Sequence, residues 1–141
     1  MTDPCIVAVD PGREKCGVAV VGRERGVLWR QVVEKTALLT TVTDLLERFG
    51  SRRVILGDQT ASANVHRLLQ PLLDQALVDE IILIDEHGST EAARSRYWQA
   101  IPPTGWRCFL PRGLLVPPCA VDDFAAIILA ERYFEKKNKY F

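Results

Sequence analysis

The stretch that decides the fold is CIVAVDPGREKCGVAVVG, residues 5–22. An apolar run ends at Asp10 and is interrupted by Pro11-Gly12, a pattern typical of a buried strand that leads into a turn. Two further apolar runs follow at 17–21 and 27–33, and the polar residues between them end in a glycine, which favours a hairpin. Three short strands so close together predict an antiparallel meander.

After residue 33 the spacing of apolar residues changes, and both helical and strand patterns follow. The run at 53–57 is apolar throughout, so we expect an interior, parallel strand there. Pro71 lies within a helical pattern and either sits inside that helix or ends an early segment of it. Helices are predicted at 38–49, 65–73, 90–98 and 121–136, and strands at 53–57 and 80–85.

This order, β-β-β-α-β-α-β-α-α, predicts a single α/β domain over residues 1–141. Three antiparallel strands followed by two parallel ones, with helices on the faces of a mixed five-stranded sheet, are the arrangement of a ribonuclease-H-like fold. Ligands of such open sheets bind beyond the carboxyl ends of the strands. Asp10 and Glu86 both lie at carboxyl ends of predicted strands.

Three acidic residues from distant parts of the chain are candidate metal ligands. Asp10 and Glu86 each end a strand, and Asp122 opens the last helix. A carboxylate at the end of a buried strand is costly to desolvate unless a partner stabilises it. Mg²⁺ and Mn²⁺ prefer oxygen ligands, and two-metal sites hydrolyse phosphodiesters by in-line displacement. The three acids therefore predict a metal-dependent nuclease with Asp10, Glu86 and Asp122 as metal-binding and catalytic residues.

Each of these acids also has a purely structural interpretation. Asp10 before Pro-Gly favours a turn, and Asp85 and Glu86 are acceptable as solvated residues at a strand end. Acids such as Asp122 and Asp123 are favoured in the first turn of a helix by capping and by the helix dipole. Strand periodicity places Asp85 on the side opposite to Glu86. Whether Asp85 or Asp123 contributes to a metal site stays open at this point.

Composition restricts the class of protein. The chain has 141 residues, with 18 basic and 18 acidic side chains, and nucleic-acid-binding proteins usually show a basic excess. The balance is local, however, because residues 87–121 contain four arginines and one acid. No apolar run approaches the roughly 18 residues of a membrane span, and no leader is evident, so we expect a cytoplasmic protein without a membrane partner. The four cysteines form no C-x-x-C pair; reduced, packed thiols are expected, with a disulfide or a redox role as the alternatives.

Several basic and aromatic residues are candidates for nucleic-acid binding. Arg13 and Lys15 lie in the first hairpin, and His87 directly follows Glu86. The segment 101–120 contains five prolines and lacks a regular pattern, and long segments of this kind are often functional. In it, Trp106 and Arg107 are suited to stack on a base and hold a phosphate, or else to pack onto the core or another subunit.

Three blocks of the sequence resemble the YqgF family of Holliday-junction resolvases and pre-16S rRNA nucleases, which are relatives of RuvC. Asp10-Pro11-Gly12 followed by Gly17-Val18-Ala19 resembles the family's D-x-G-x-x-x-x-G-x-A opening. The segment 85–93 is similar to its D-E-R-x-[ST]-T block, and 121–129 to its V-D-x-x-A-A-x-x-I-L helix. Gly57 also matches a glycine of the family.

The resemblance implies an RNase-H-like fold and cleavage of structured nucleic acid with Mg²⁺ or Mn²⁺. It implies that Asp10, Glu86 and Asp122 hold the metal, and that the substrate is precursor 16S rRNA or a Holliday junction. Junction resolution usually requires a two-fold homodimer, whereas RNA trimming does not, so the expected state is a monomer or a homodimer.

The sequence departs from the family pattern at three places. His87 replaces the arginine after D-E, so a fixed cation becomes a titratable one. Gly57-Asp58-Gln59 replaces G-L-P, which adds an acid near the predicted site, and the segment 101–120 is unusually rich in proline and aromatics. These departures favour, as the alternative, an inactive binding module for nucleic acid or protein on the same fold. An actin-like nucleotide binder shares the Asp-x-Gly hairpin, but this chain is too short for two such lobes.

Overall fold

The structure is a computed structural model that describes residues 4–58, 62–85, 89–101 and 122–139. The strands are β1 (Cys5–Asp10), β2 (Lys15–Gly22), β3 (Gly26–Glu34), β4 (Arg53–Gly57) and β5 (Glu80–Ile84). The helices are α1 (Leu38–Phe49), α2 (Ser62–Asp74), α3 (Ser89–Ala100) and α4 (Asp122–Lys139), and a 3₁₀ turn at Lys35–Ala37 precedes α1. Within these residues every predicted strand and helix is present, whereas the 3₁₀ turn was not predicted.

The five strands form one mixed sheet in the order β3-β2-β1-β4-β5. The meander β1-β2-β3 is antiparallel, and β4 pairs parallel with both β1 and β5. The predicted α/β fold class, with three antiparallel strands followed by two parallel ones, is thereby confirmed. The run at 53–57 is the interior parallel strand that its continuous apolar character indicated.

Each face of the sheet carries two helices, and the alternation of β1 determines which residues meet them. Ile6 and Ala8 belong to the core beneath α3 and α4, whereas Val7 and Val9 belong to the core beneath α1 and α2. We call the first side the α4 face and the second the α1 face. Asp10 continues the alternation of Ile6 and Ala8, so it lies on the α4 face.

Helices α1 and α2 are ordinary amphipathic helices that cover the α1 face. Helix α1 ends at Gly50, whose φ of 66° is the left-handed conformation that glycine adopts at helix C-termini. Pro71 lies inside α2, which continues to Asp74, and this decides between the two alternatives for the proline. Leu69 and Leu72 on either side of it are buried, so packing holds the helix although one backbone donor is missing.

Two further observations bear on the expectations from composition. Cys5 is half-buried and Cys16 is buried, while Cys108 and Cys119 lie outside the described residues. No helix in the described part of the chain is long and apolar enough to cross a membrane.

Gly12 lies in the tight connection between β1 and β2, two residues after Asp10. A Cβ atom at this position would lie 2.1 Å from the backbone oxygen of Lys15, a distance at which the hairpin backbone must shift. We expect Gly12→Ala to lower the free energy of unfolding by about 1–3 kcal/mol, as other overpacked sites do. Urea denaturation measures this, with Glu14→Ala as the control because Glu14 is an exposed residue of the same connection. Equal stability of the two variants would contradict the close approach.

Candidate functional site

Asp10 is the one predicted metal ligand whose side chain lies within the described residues. It ends β1, is half-buried, and pairs in register with Gly17 of β2. On the other side of β1, Val9 pairs with Leu56, and the next residue of β4 is Gly57. The residue opposite Asp10 is therefore a glycine on both neighbouring strands: Gly17 on β2 and Gly57 on β4. Neither neighbour carries a side chain larger than hydrogen at this level.

The ends of four strands meet at one edge of the sheet, which we call the carboxyl edge. Strands β1, β4 and β5 are parallel, so Asp10, Gly57 and Ile84 end at the same edge. The backbone N–H of Asp58 donates to the carbonyl of Ile84 over 3.1 Å and ties two of these ends together. Strand β3 ends there as well, because Glu34 pairs with Lys15 at the start of β2. This is the edge at which open α/β sheets bind their ligands.

The start of α4 is fixed to the sheet by a half-buried ion pair. Arg30 of β3 donates from Nη1 to Oδ2 of Asp123 over 2.8 Å, and Asp123 is only 5% exposed. The other carboxylate oxygen of Asp123 accepts from the backbone N–H of Phe124 over 3.0 Å. The Arg30 guanidinium also lies 4.4 Å from the centre of the Phe124 ring. A charge-assisted hydrogen bond and a cation–π contact together hold the first turn of α4 in place.

The strand register relates this anchor to Asp10. Arg30 pairs with Ala19, and Ala19 pairs with Ala8, two residues before Asp10 on the same face. Arg30 is thus level with Ala8, whose side chain is the next one before Asp10 on the same face of β1. Asp122 is the first residue of α4, and its side chain lies outside the described part. The fold brings Asp10 and the helix start that carries Asp122 to the same face of the sheet.

The structure also places the two acids whose contribution the sequence left open. Asp123 is engaged by Arg30, so it serves as the anchor of α4. Asp85 is exposed, and its backbone carbonyl accepts from Nη1 of Arg132 on α4 over 2.9 Å, which ties the end of β5 to that helix. Glu86 and His87, which follow Asp85, lie outside the described residues, as do Trp106 and Arg107.

Basic residues surround the carboxyl edge, and the sequence predicted only some of them. Arg13 in the connection after Asp10 and Lys15 at the start of β2 are both exposed. Lys35 was missed; its Nζ donates to the carbonyl of Arg13 over 3.4 Å. Arg67 of α2 was missed too, and with Lys35 it lines a shallow groove of about 430 Å³. The position of Lys35 directly after a predicted strand is a usable signal, whereas Arg67 reaches this edge only through tertiary packing.

No group of three or more His, Cys, Asp or Glu side chains suited to a metal is found within the described residues. The side chains of Glu86 and Asp122 are not among those described. The structure therefore gives the position of Asp10 and of the backbone at the start of α4. The donor set of the prediction is entirely carboxylate oxygen, which suits Mg²⁺ or Mn²⁺ and not a soft metal.

No protein-family model and no curated protein sequence matches this chain. Solved structures do match it over nearly the whole length. RuvC of Thermus thermophilus in complex with a Holliday junction substrate superposes with a TM-score of 0.64 at 17% identity, covering 96% of both chains. A second structure of Thermus thermophilus RuvC gives 0.64 at 15% identity, again over 96% of both chains. The fowlpox virus Holliday junction resolvase gives 0.59 at 13% identity, covering 95% of this chain and 99% of its own. The strand order and these similarities show that the chain has the RuvC-like ribonuclease H fold.

Proposed function

We propose that this protein is a divalent-metal-dependent nuclease that hydrolyses phosphodiester bonds in structured nucleic acid. The observation that carries the proposal is the position of Asp10: at the carboxyl edge, between glycine-bearing strands, on the face where Arg30 and Asp123 fix the start of α4. The similarity of the fold to Holliday junction resolvases supports this assignment.

The metal would be held by Asp10, Glu86 and Asp122. The strand positions level with Asp10 are glycines, and Asp123, the second acid of the α4 start, is engaged by Arg30. Mg²⁺ or Mn²⁺ held there would supply activation of a water molecule and positive charge opposite the phosphodiester oxygens. The role of the chain is to hold three carboxylates rigidly, from a strand end, a segment after β5 and a helix start.

The basic residues of the carboxyl edge would position the substrate. Arg13 and Lys15 are exposed there and Lys35 is half-buried, and the exposed acids Glu14 and Glu34 are their neighbours in the sequence. Contacts to phosphates fix the register of a nucleic acid and supply most of its non-specific affinity. His87, Trp106 and Arg107 are proposed as further contacts on the sequence pattern alone.

A four-way DNA junction is the substrate that we propose first, because the similar structures are RuvC and a viral junction resolvase. Precursor 16S rRNA is the second candidate, supported by the resemblance of the three sequence blocks to the YqgF family. Two symmetric cuts across a junction require two active sites, so the junction proposal includes a homodimer. A protein that stays monomeric at assay concentrations would favour the RNA substrate.

A cleavage assay tests the proposal. The purified chain is incubated with a four-way DNA junction, a structured precursor rRNA fragment and a linear duplex, each in Mg²⁺, Mn²⁺ and EDTA. We expect cleavage of the junction in either metal, none in EDTA, and little cleavage of the linear duplex. Binding without cleavage of any substrate in any metal would overturn the nuclease assignment and favour a binding module on the same fold.

A further inference from the structure

A second basic surface lies at the edge of the sheet opposite to the carboxyl edge. It is an open groove of about 790 Å³ between the β2–β3 turn, the end of α1, the start of β4 and the side of α4. One acid, Asp79, is among the described residues that line it. Five arginines line it, which together we call the arginine groove: Arg23, Arg25, Arg48, Arg52 and Arg53.

Two of these arginines are each held in place by one carboxylate and one neutral oxygen. Arg53 donates from Nη1 to the hydroxyl of Tyr133 over 2.7 Å, and its Nε lies 3.8 Å from Glu80. Arg52 is held by Asp79 at 3.0 Å and by the carbonyl of Ala76 at 2.8 Å. A guanidinium has five donors, so each still has donors for a ligand after these bonds are made. Side chains ordered in advance lose less entropy when they bind.

The other three arginines line the groove from the end of α1 and from the β2–β3 turn. The Arg48 guanidinium lies 5.3 Å from the centre of the Phe49 ring. Arg23 and Arg25 come from the β2–β3 turn, which is joined to the start of β1 by a 3.0 Å hydrogen bond from the N–H of Arg23 to the carbonyl of Pro4. Tyr133 and Phe134 on α4 pack edge to face, with ring centres 5.5 Å apart.

The basic side chains of this groove that the structure describes are all arginine. A guanidinium recognises phosphate through paired donors and also stacks on flat rings, which the ammonium of lysine does less well. Grooves that combine cations with aromatic rings are typical of proteins that bind single-stranded nucleic acid.

The arginine groove is separate from the candidate active site. Cys5 lines the groove and Asp10 ends the same strand, five residues later. At a rise of about 3.3 Å per residue, β1 separates them by roughly 17 Å. A ligand in the groove therefore does not compete with a phosphodiester bound at Asp10, and one nucleic acid of sufficient length can reach both.

We propose that the arginine groove binds the phosphodiester backbone of a single-stranded segment of nucleic acid that lies outside the cleaved bond. The identity of this strand as part of the substrate rests on the proposed nuclease function, but the binding of a nucleic-acid strand does not. The groove would increase affinity for substrates that carry an unpaired arm and would orient them relative to Asp10.

The experiment measures binding by fluorescence anisotropy, with a labelled single strand, in EDTA, at several salt concentrations. The groove variant is Arg25→Gln/Arg48→Gln, and the matched control is Arg94→Gln/Arg96→Gln on α3, which removes the same charge elsewhere. We expect the groove variant to bind about tenfold more weakly at low salt, and its dependence of log K on log salt to be shallower by about 1.4, the value for two lost phosphate contacts. The control should bind like the wild type.

Three results would overturn the proposal: no binding of the strand by wild type, no loss in the groove variant, or the same loss in both variants. Circular dichroism of each variant checks that it is folded. Cleavage is measured separately in Mn²⁺ on a junction with short blunt arms and on one with a long unpaired arm. We expect the groove variant to raise KM for the second substrate only.

These readouts distinguish the two proposals. If the nuclease function is wrong, no substrate is cut, yet the groove variant still weakens strand binding in EDTA. If the groove proposal is wrong, cleavage is retained and the groove variant behaves like the control with both substrates.

Discussion

Asp10→Asn is expected to lose metal-dependent cleavage while the chain stays folded. Asparagine has nearly the same shape as aspartate, so the half-buried end of β1 can retain its packing and its pairing with Gly17. The substitution removes a negative charge and leaves a weaker oxygen donor for a hard cation. Metal stabilisation of a phosphoryl-transfer transition state supplies several kcal/mol.

The size of the effect follows from that energy. A loss of about 4 kcal/mol corresponds to a rate reduction of roughly 10³-fold. We would measure single-turnover cleavage of the four-way junction in Mn²⁺ by wild type and by Asp10→Asn, with protein in excess over substrate. Binding of the junction in EDTA should be similar for both proteins, because the substitution does not remove a cation that contacts phosphate.

Asp58→Asn is the matched control for this experiment. Asp58 is an exposed acid at the carboxyl edge, directly after β4. Its substitution by asparagine removes the same charge from the same end of the sheet. It should keep most of the activity if Asp10 is a ligand and Asp58 is a solvated residue. Equal activity of Asp10→Asn and wild type would refute the site. An equal loss in the two variants would mean that the general charge of this edge, and not a specific ligand, is what matters.

A second readout of Asp10 does not depend on cleavage. A ligand that binds only the native state raises the melting temperature. Mn²⁺ should raise the melting temperature of wild type, and the rise should be absent in Asp10→Asn and present in Asp58→Asn. A rise of the same size in all three proteins would place the metal elsewhere.

The sequence was sufficient for the sheet because strand information is local. The apolar run CIVAVD predicts a short buried strand, and in the structure Ile6 and Ala8 are buried on one face of it and Val7 and Val9 on the other. The continuous apolar run of β4 likewise predicts a strand covered on both faces. Helix ends were less well predicted: α4 begins at Asp122 and continues to Lys139, beyond the predicted end at residue 136. Surface turns of a helix carry little apolar pattern, so their limits are weakly encoded.

Contacts between distant segments could not be predicted in the same way. Arg30 and Asp123 are 93 residues apart, and neither the strand pattern of 27–33 nor the first turn of α4 indicates a partner. The β2–β3 pairing also shifts register between Val20 and Val21, which changes the face presented by the residues of β3. Such a bulge moves side chains by one position, and simple alternation does not reveal it. The arginine groove is assembled from several segments and has no sequence signature for the same reason.

The anchor of α4 gives the second large effect, which is on stability. In Arg30→Met the side chain keeps its apolar stem beneath Phe124, but the carboxylate of Asp123, whose side chain is 8% exposed, loses its cation. Breaking a fully buried pair costs about 3–5 kcal/mol. Arg30 is 41% exposed, so water weakens this pair, and we expect a smaller loss of about 2–3 kcal/mol in the free energy of unfolding.

Asp123→Asn should cost less although it removes the same ion pair. Asparagine keeps an oxygen that can accept from the N–H of Phe124, and Arg30 can turn its charge to solvent, so the expected loss is about 1 kcal/mol. In the double variant no buried charge is left without a partner. The double variant should therefore lose about 1–2 kcal/mol less free energy of unfolding than the sum of the two single losses. A double-mutant cycle from urea denaturation measures this difference. Strictly additive losses would show that the 2.8 Å contact contributes nothing to stability.

Activity measurements on these variants show whether the Arg30–Asp123 pair affects catalysis by positioning α4 or only through the overall stability of the protein. If the pair positions α4, and with it Asp122, then Arg30→Met should lower kcat at temperatures where the variant is fully folded and should leave KM for the junction nearly unchanged. A variant destabilised to a similar degree far from the site, such as Leu72→Ala on the α1 face, should lower the melting temperature without lowering kcat. If both variants lose kcat equally, the Arg30–Asp123 pair contributes to activity only through overall stability, and the position of the α4 start is set by the rest of its apolar contacts.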